Sequence, residues 1–166
     1  MDWEILRNSS VSLYLNRQYL EEDVQWFREN HYRVYAFDCT TWFSRDSMHS
    51  DFQSTLSFPG YYGRNLDALW DCLSAMSIPD EGGALLVLDG FNGYAKNCGA
   101  VPTHSGKPEA EVILDILASA SRYFSLTGKR FITLVQSDDP WMRFERLGGA
   151  STQWNRREWL NKNRGV

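Results

Sequence analysis

What this chain is short of narrows its class before any motif is read. It holds only three cysteines, Cys39, Cys72 and Cys98, with no CxxC spacing. An odd number cannot all pair within one chain, so reduced thiols in a cytosol are the natural reading. No apolar run approaches the roughly 20 residues that a membrane span needs. The start, Met1-Asp2-Trp3-Glu4, lacks the basic stretch and apolar run of a secretory signal, and a cytoplasmic location is expected. Basic residues are outnumbered, 17 Lys and Arg against 21 Asp and Glu, for a net charge of −4. That balance argues against a general affinity for nucleic acid or anionic membrane. Internal repeats, low-complexity tracts and a phosphate-binding loop of the GxxxxGKS type are all missing.

What is present describes a globular chain. With 166 residues, 43% hydrophobic and 23% charged, it fits one domain able to bury a real core. Seven Trp, eight Tyr and nine Phe exceed what such a core needs. Some of them are expected on a binding surface, where Trp and Tyr are favoured.

Hydrophobic spacing sets out alternating strands and helices. Val11 to Leu15 reads as a short strand, and Asn16 caps a helix striped by Leu20, Val24 and Phe27 that ends near Asn30. A buried strand follows at Val34–Phe37, then a helix from about Arg45 to Leu56, and a break at Phe58-Pro59-Gly60. A third helix runs from Asn65 to about Met76. Ala84–Leu88 and Phe131–Val135 are apolar on both faces, as central parallel strands are. Between them lie a loop over Asp89–Pro108 and a long helix from about Glu109 to Leu126. This is the pattern of an α/β layered sheet.

The segment Tyr61-Tyr62-Gly63-Arg64-Asn65-Leu66-Asp67-Ala68-Leu69-Trp70-Asp71-Cys72 carries the functional signal. Asn65 opens the helix, so Asp67 falls in its first turn, where the dipole favours a carboxylate. Asp67 and Asp71 are four apart and share one face, which is mildly destabilising in isolation. No Lys or Arg occurs between Asn65 and Ala95, although Asp67, Asp71, Asp80, Glu81 and Asp89 do. Something outside the segment must neutralise this face. A solvated helix surface would explain two aspartates, but not their company of Tyr61, Tyr62, Asn65 and Trp70. Aromatics supply burial and carboxylates supply choice of partner, so the segment suits a protein-binding site.

Tyr61 to Leu73, YYGRNLDALWDCL, closely resembles the segment that defines the barstar family of intracellular ribonuclease inhibitors. The similarity extends over roughly Tyr32 to Gln136. It implies a barstar-like layered fold: a small, mainly parallel sheet packed by helices, with its core at about 32–137. Around that core lie a strand–helix extension at 1–30 and a Trp- and Arg-rich extension at 138–166. It also implies a function, since members of the family bind a secreted ribonuclease inside the producing cell and plug its active site. By that resemblance Asp71 matches the aspartate that occupies the catalytic phosphate site, and Asp67 a second interface aspartate. Tyr61 matches the tyrosine that packs on the enzyme's active-site histidine, and Gly63, Asn65, Leu66 and Trp70 match neighbouring contacts. The implied partner is a basic secreted ribonuclease, barnase-like or another nuclease toxin, and the free protein is expected to be a monomer. An immunity-type or toxin–antitoxin role follows, with no cofactor, no metal and no catalysis. Two positions differ from the family's inhibitor. Arg64 adds a positive charge at the edge of the acidic face, and Ala118-Ser119-Ala120-Ser121-Arg122 stands where a further glutamate is found.

The other constellations are weaker. His31, His49 and His104 are scattered over a strand edge, a helix and a loop, and no spacing pairs them with Cys72 or Ser105. Asp138-Asp139-Pro140 reads as a turn rather than a metal site. The C-terminal Arg143, Arg146, Arg156, Arg157, Lys162 and Arg164, mixed with Trp154 and Trp159, could contact RNA. The preferred reading is an anchored terminal segment that neutralises acids elsewhere on the chain. Beside the inhibitor stands a second reading, a non-inhibitory module that binds protein or RNA on the same fold.

Overall fold

The computed structural model describes residues 1–8 and 10–162. Its strands are β1 (Val11–Tyr14), β2 (Tyr32–Asp38), β3 (Gly83–Asp89), β4 (Phe131–Gln136) and β5 (Gln153–Trp154). They form one sheet in the order β2-β3-β4-β1-β5, every neighbouring pair parallel. The helices are α1 (Asp2–Asn8), α2 (Arg17–Glu29), α3 (Arg45–Thr55), α4 (Leu66–Ser74), α5 (Phe91–Lys96) and α6 (Glu109–Ser125). The fold is an α/β layered sheet, as the apolar strands and their intervening helices predict.

The two-sided apolar runs explain the layering. In β3, Leu85 and Val87 point to one face and pack with Val24, Phe27 and Ile132, under α1 and α2. Leu86 and Leu88 point to the other and join Phe37, Phe52, Leu69, Leu73 and Leu117, under α3, α4 and α6. Alternation with period two therefore feeds both layers from one strand. Asn16 caps α2 by accepting from Gln18 N at 2.9 Å, at the position its side chain predicts.

Three features differ from the pattern read in the sequence. The stretch Asp89–Pro108, expected as loop, contains α5 and a 3-10 turn at Cys98–Ala100. Helix α5 opens at Gly90, whose left-handed backbone (φ 67°) gives no side-chain cap, and burial of Phe91 and Tyr94 holds it instead. Tertiary packing thus overrides a turn-like composition. Helix α1 precedes the first expected strand. Finally β1 lies between β4 and β5, inside the sheet, and the carboxyl-terminal segment returns to pair with it.

That return is built on buried polar groups. Glu158, with no exposed surface, accepts from Leu15 N at 3.0 Å and Asn16 N at 2.8 Å. Tyr14 donates to Asp23 at 2.7 Å and accepts from Asn155 at 2.8 Å. Arg157 reaches Glu22 at 2.5 Å and Asp23 at 3.4 Å, and its guanidinium lies 4.0 Å from the centre of the Tyr19 ring. No helix among the described residues is long and apolar enough to cross a membrane.

Candidate functional site

Helix α4 is oriented by its apolar side. Leu69 and Leu73 are fully buried, which contributes about 1.5–3 kcal/mol each and fixes the helix rotation. The i and i+4 positions on the far side, Asp67 and Asp71, must then face solvent, and both are exposed. Asn65 accepts from Ala68 N at 2.8 Å, so this residue of the motif is also the helix cap. Its amide donates to Gly63 O at 3.3 Å, and a Cβ at Gly63 would lie 3.2 Å from that same amide nitrogen. Gly63 thus leaves room for the cap. Arg64 takes a left-handed conformation (φ 48°) and donates to Gln53 at 3.3 Å, turned aside from the acidic face.

The two tyrosines of the motif point opposite ways. Tyr61 is 86% exposed, while Tyr62 is 5% exposed and packs against Phe58 and His49. Burial pushes the Tyr62 hydroxyl well above its usual titration range. Trp70 is half-buried and meets Tyr123 of α6 edge-on, ring centres 6.0 Å apart. Cys72 is half-buried, and its thiol is pushed up first by burial and then by the charge of Asp71.

The acids of this region fare differently. Asp80 is paired with Lys129, and Asp89 with Arg17. Lys129 holds the Asp80 carboxyl below its usual range. Asp67 and Asp71 make no ion pair and no side-chain hydrogen bond among the described residues. Two of the described C-terminal arginines are engaged elsewhere, Arg156 with Glu4 and Arg157 with Glu22 and Asp23. Arg164 lies outside the described residues. The ion pairs of the described tail thus go to α1 and α2 rather than to the motif.

Asn65, Leu66, Asp67, Trp70 and Asp71 line one face of a cleft of about 1410 Å³. Tyr61 and Gly63 are outside its lining, on the loop that leads into α4. Helix α6 contributes Val112, Asp115, Ile116 and Ser119. Asp115 is a residue that sequence reasoning overlooked. It stands one turn before Ser119 and brings a carboxylate from the long helix into the cleft, with Oδ1 accepting from Gly148 N at 2.7 Å. Its spacing from Ser119 is the signal that could have found it. Buried Glu109 at the cleft floor is matched by Arg45 and accepts from Tyr94 at 2.7 Å. No group of three or more His, Cys, Asp or Glu among the described residues could hold a metal ion. His49 meets Tyr62 rather than a cysteine or serine.

Parts of this sequence are similar to known proteins. Over 27 residues the chain is 67% identical to the Bacillus subtilis (strain 168) protein described as "Putative ribonuclease inhibitor YrdF". The match covers 16% of this chain and 30% of that relative. Residues 32–136, which run from the first residue of β2 to the last of β4 and include the motif and its cleft, match the family described as Barstar (barnase inhibitor). This chain belongs to the barstar (barnase inhibitor) family.

Proposed function

We propose that the chain is a non-enzymatic, immunity-type inhibitor of a basic ribonuclease, working in the cytoplasm of the cell that makes its target. Asp71 takes the place of the scissile phosphate, and Asp67 offers a second carboxylate one turn away. Tyr61, Gly63, Asn65, Leu66 and Trp70 form the contact surface around them. One observation carries this reading: Asp67 and Asp71 stand exposed on a helix locked by Leu69 and Leu73, with no counterion among the described residues, while Asp80 and Asp89 have theirs. Two like charges at this spacing cost a few tenths of a kcal/mol in the free protein. Cations supplied by a partner relieve that cost. A ribonuclease gathers Lys, Arg and His around its phosphate, and carboxylates on a rigid helix meet them with charge-assisted hydrogen bonds.

The test is RNA cleavage by barnase with and without the protein. Stoichiometric loss of cleavage is expected, and Asp71→Ala should weaken binding by at least about 2–5 kcal/mol, a range to which the barnase–barstar pair itself contributes. Circular dichroism establishes that the variant is folded. Undiminished cleavage at excess protein would refute inhibition of this enzyme, and unchanged inhibition by Asp71→Ala would refute the site.

A further inference from the structure

The cleft has a second wall that the motif does not supply. Phe43 follows Trp42, which is 2% exposed, and the turn that buries the tryptophan leaves Phe43 79% exposed. Val101, 60% exposed, stands with Pro102 on the loop before α6. Two distant stretches of chain meet here, pinned where Cys98 Sγ donates to Phe43 O at 2.7 Å. The loop is closed on itself: Thr103 N donates to Lys107 O at 2.8 Å, and Glu109 N to Val101 O at 3.0 Å. This lip is therefore preorganised, and an occupant does not have to order it.

Across the cleft the lining is acidic. Asp67, Asp71 and Asp115 contribute carboxylates, and the one Lys or Arg of the lining, Arg45, is engaged by Glu109. A volume of about 1410 Å³ exceeds the roughly 300–1,000 Å³ of small-molecule sites and suits a polypeptide segment. Uncovered apolar side chains at the rim of such a cleft mark an interaction surface. We propose that Phe43 and Val101 form a selectivity lip, so that the cleft takes a protruding partner loop carrying a Lys or Arg beside an apolar residue. The cation meets Asp71 and Asp67, and the apolar neighbour lies on the lip. This rests on the inhibitory reading of the same cleft and extends it beyond the motif. A nuclease with a flat rim would leave the lip unpaired.

The probe is a capped tripeptide of arginine between two leucines, titrated into the isotope-labelled protein while backbone amide shifts are followed. Amides at Phe43 and Val101 should shift on the same curve as those at Asp71 and Asp115. Phe43→Ser combined with Val101→Ser should weaken binding roughly tenfold; both side chains are exposed, so the fold is unaffected. Glutamate in place of the arginine should abolish the shifts. Shifts confined to α4, no shifts at all, or a double variant that binds like the parent would overturn the lip. RNA cleavage by barnase in the presence of the same variants separates the two readings. Inhibition with a silent lip leaves the inhibitor standing and the lip refuted. Shifts on both walls without inhibition refute inhibition of barnase and keep the lip.

Discussion

The inward-facing tyrosine of the motif makes a sharp prediction about stability. Tyr62 lies with its hydroxyl 2.5 Å from His49 Nδ1. The other ring nitrogen, Nε2, is buried with no partner among the described residues. Tyr62→Phe keeps the aromatic packing on Phe58, whose ring centre is 5.1 Å away, but leaves both imidazole nitrogens unpaired. A buried polar group stripped of its partner costs about 1–3 kcal/mol. In a chain of this size each kcal/mol lowers the melting temperature by about 2–4 °C, so a fall of roughly 2–12 °C is expected. Urea denaturation followed by near-ultraviolet circular dichroism should show a lower midpoint with an unchanged slope. Inhibition of barnase at 25 °C should survive, because α4 is seated by Leu69 and Leu73 rather than by this hydrogen bond. Combining Tyr62→Phe with His49→Leu should cost less than the two single losses added together, since the pair is broken only once. A Tyr62→Phe protein within about 0.5 kcal/mol of the parent would refute the reasoning.

Further outcomes follow from the same geometry. Burial lowers the pKa of His49 below its usual 6.5; the charges of Arg45 and Arg64 act in the same direction, and those of Glu109 and Asp46 oppose it. The unfolded chain then binds the proton more readily, so this contribution is complete above about pH 6.5 and is lost as pH falls through the lowered folded value. Unfolding free energies from urea titrations between pH 7.5 and 5 should drop by at most about 1.4 kcal/mol per pH unit from this group, and His49→Gln should flatten that part of the profile. Glu158→Ala should cost about 2–4 kcal/mol by stranding the Leu15 and Asn16 amides, whereas Glu158→Gln keeps an accepting oxygen and should cost about 1 kcal/mol. Equal stability of the two Glu158 variants in the same urea titration would show that the carboxyl-terminal return is not held there.

Where the sequence could be read, one chemical signal sufficed. The apolar runs of β3 and β4 have no wet face, so both had to be central strands. The stripe of α6 left its boundaries to within a residue or so, and the motif named α4 and its cap. Helix α5 could not be read that way. Phe-Asn-Gly-Tyr is turn-like locally and becomes helical only because Phe91 and Tyr94 are buried by distant partners. Strand β5 is two residues long and exists because Glu158 and Asn155 bring that segment to β1. The lip was equally hidden, since Phe43 and Cys98 are 55 positions apart and nothing in either local stretch marks the other. The acidic face shows the same division. The lack of any Lys or Arg from Asn65 to Ala95 required its counterions to be distant, and they are: Lys129 is 49 residues from Asp80, and Arg17 is 72 from Asp89. Composition therefore implied a deficit of positive charge but could not apportion it. The fold does so by pairing Asp80 and Asp89 at the two ends of β3 and leaving Asp67 and Asp71 exposed on α4, the face on which the proposed contact with a partner's cations rests.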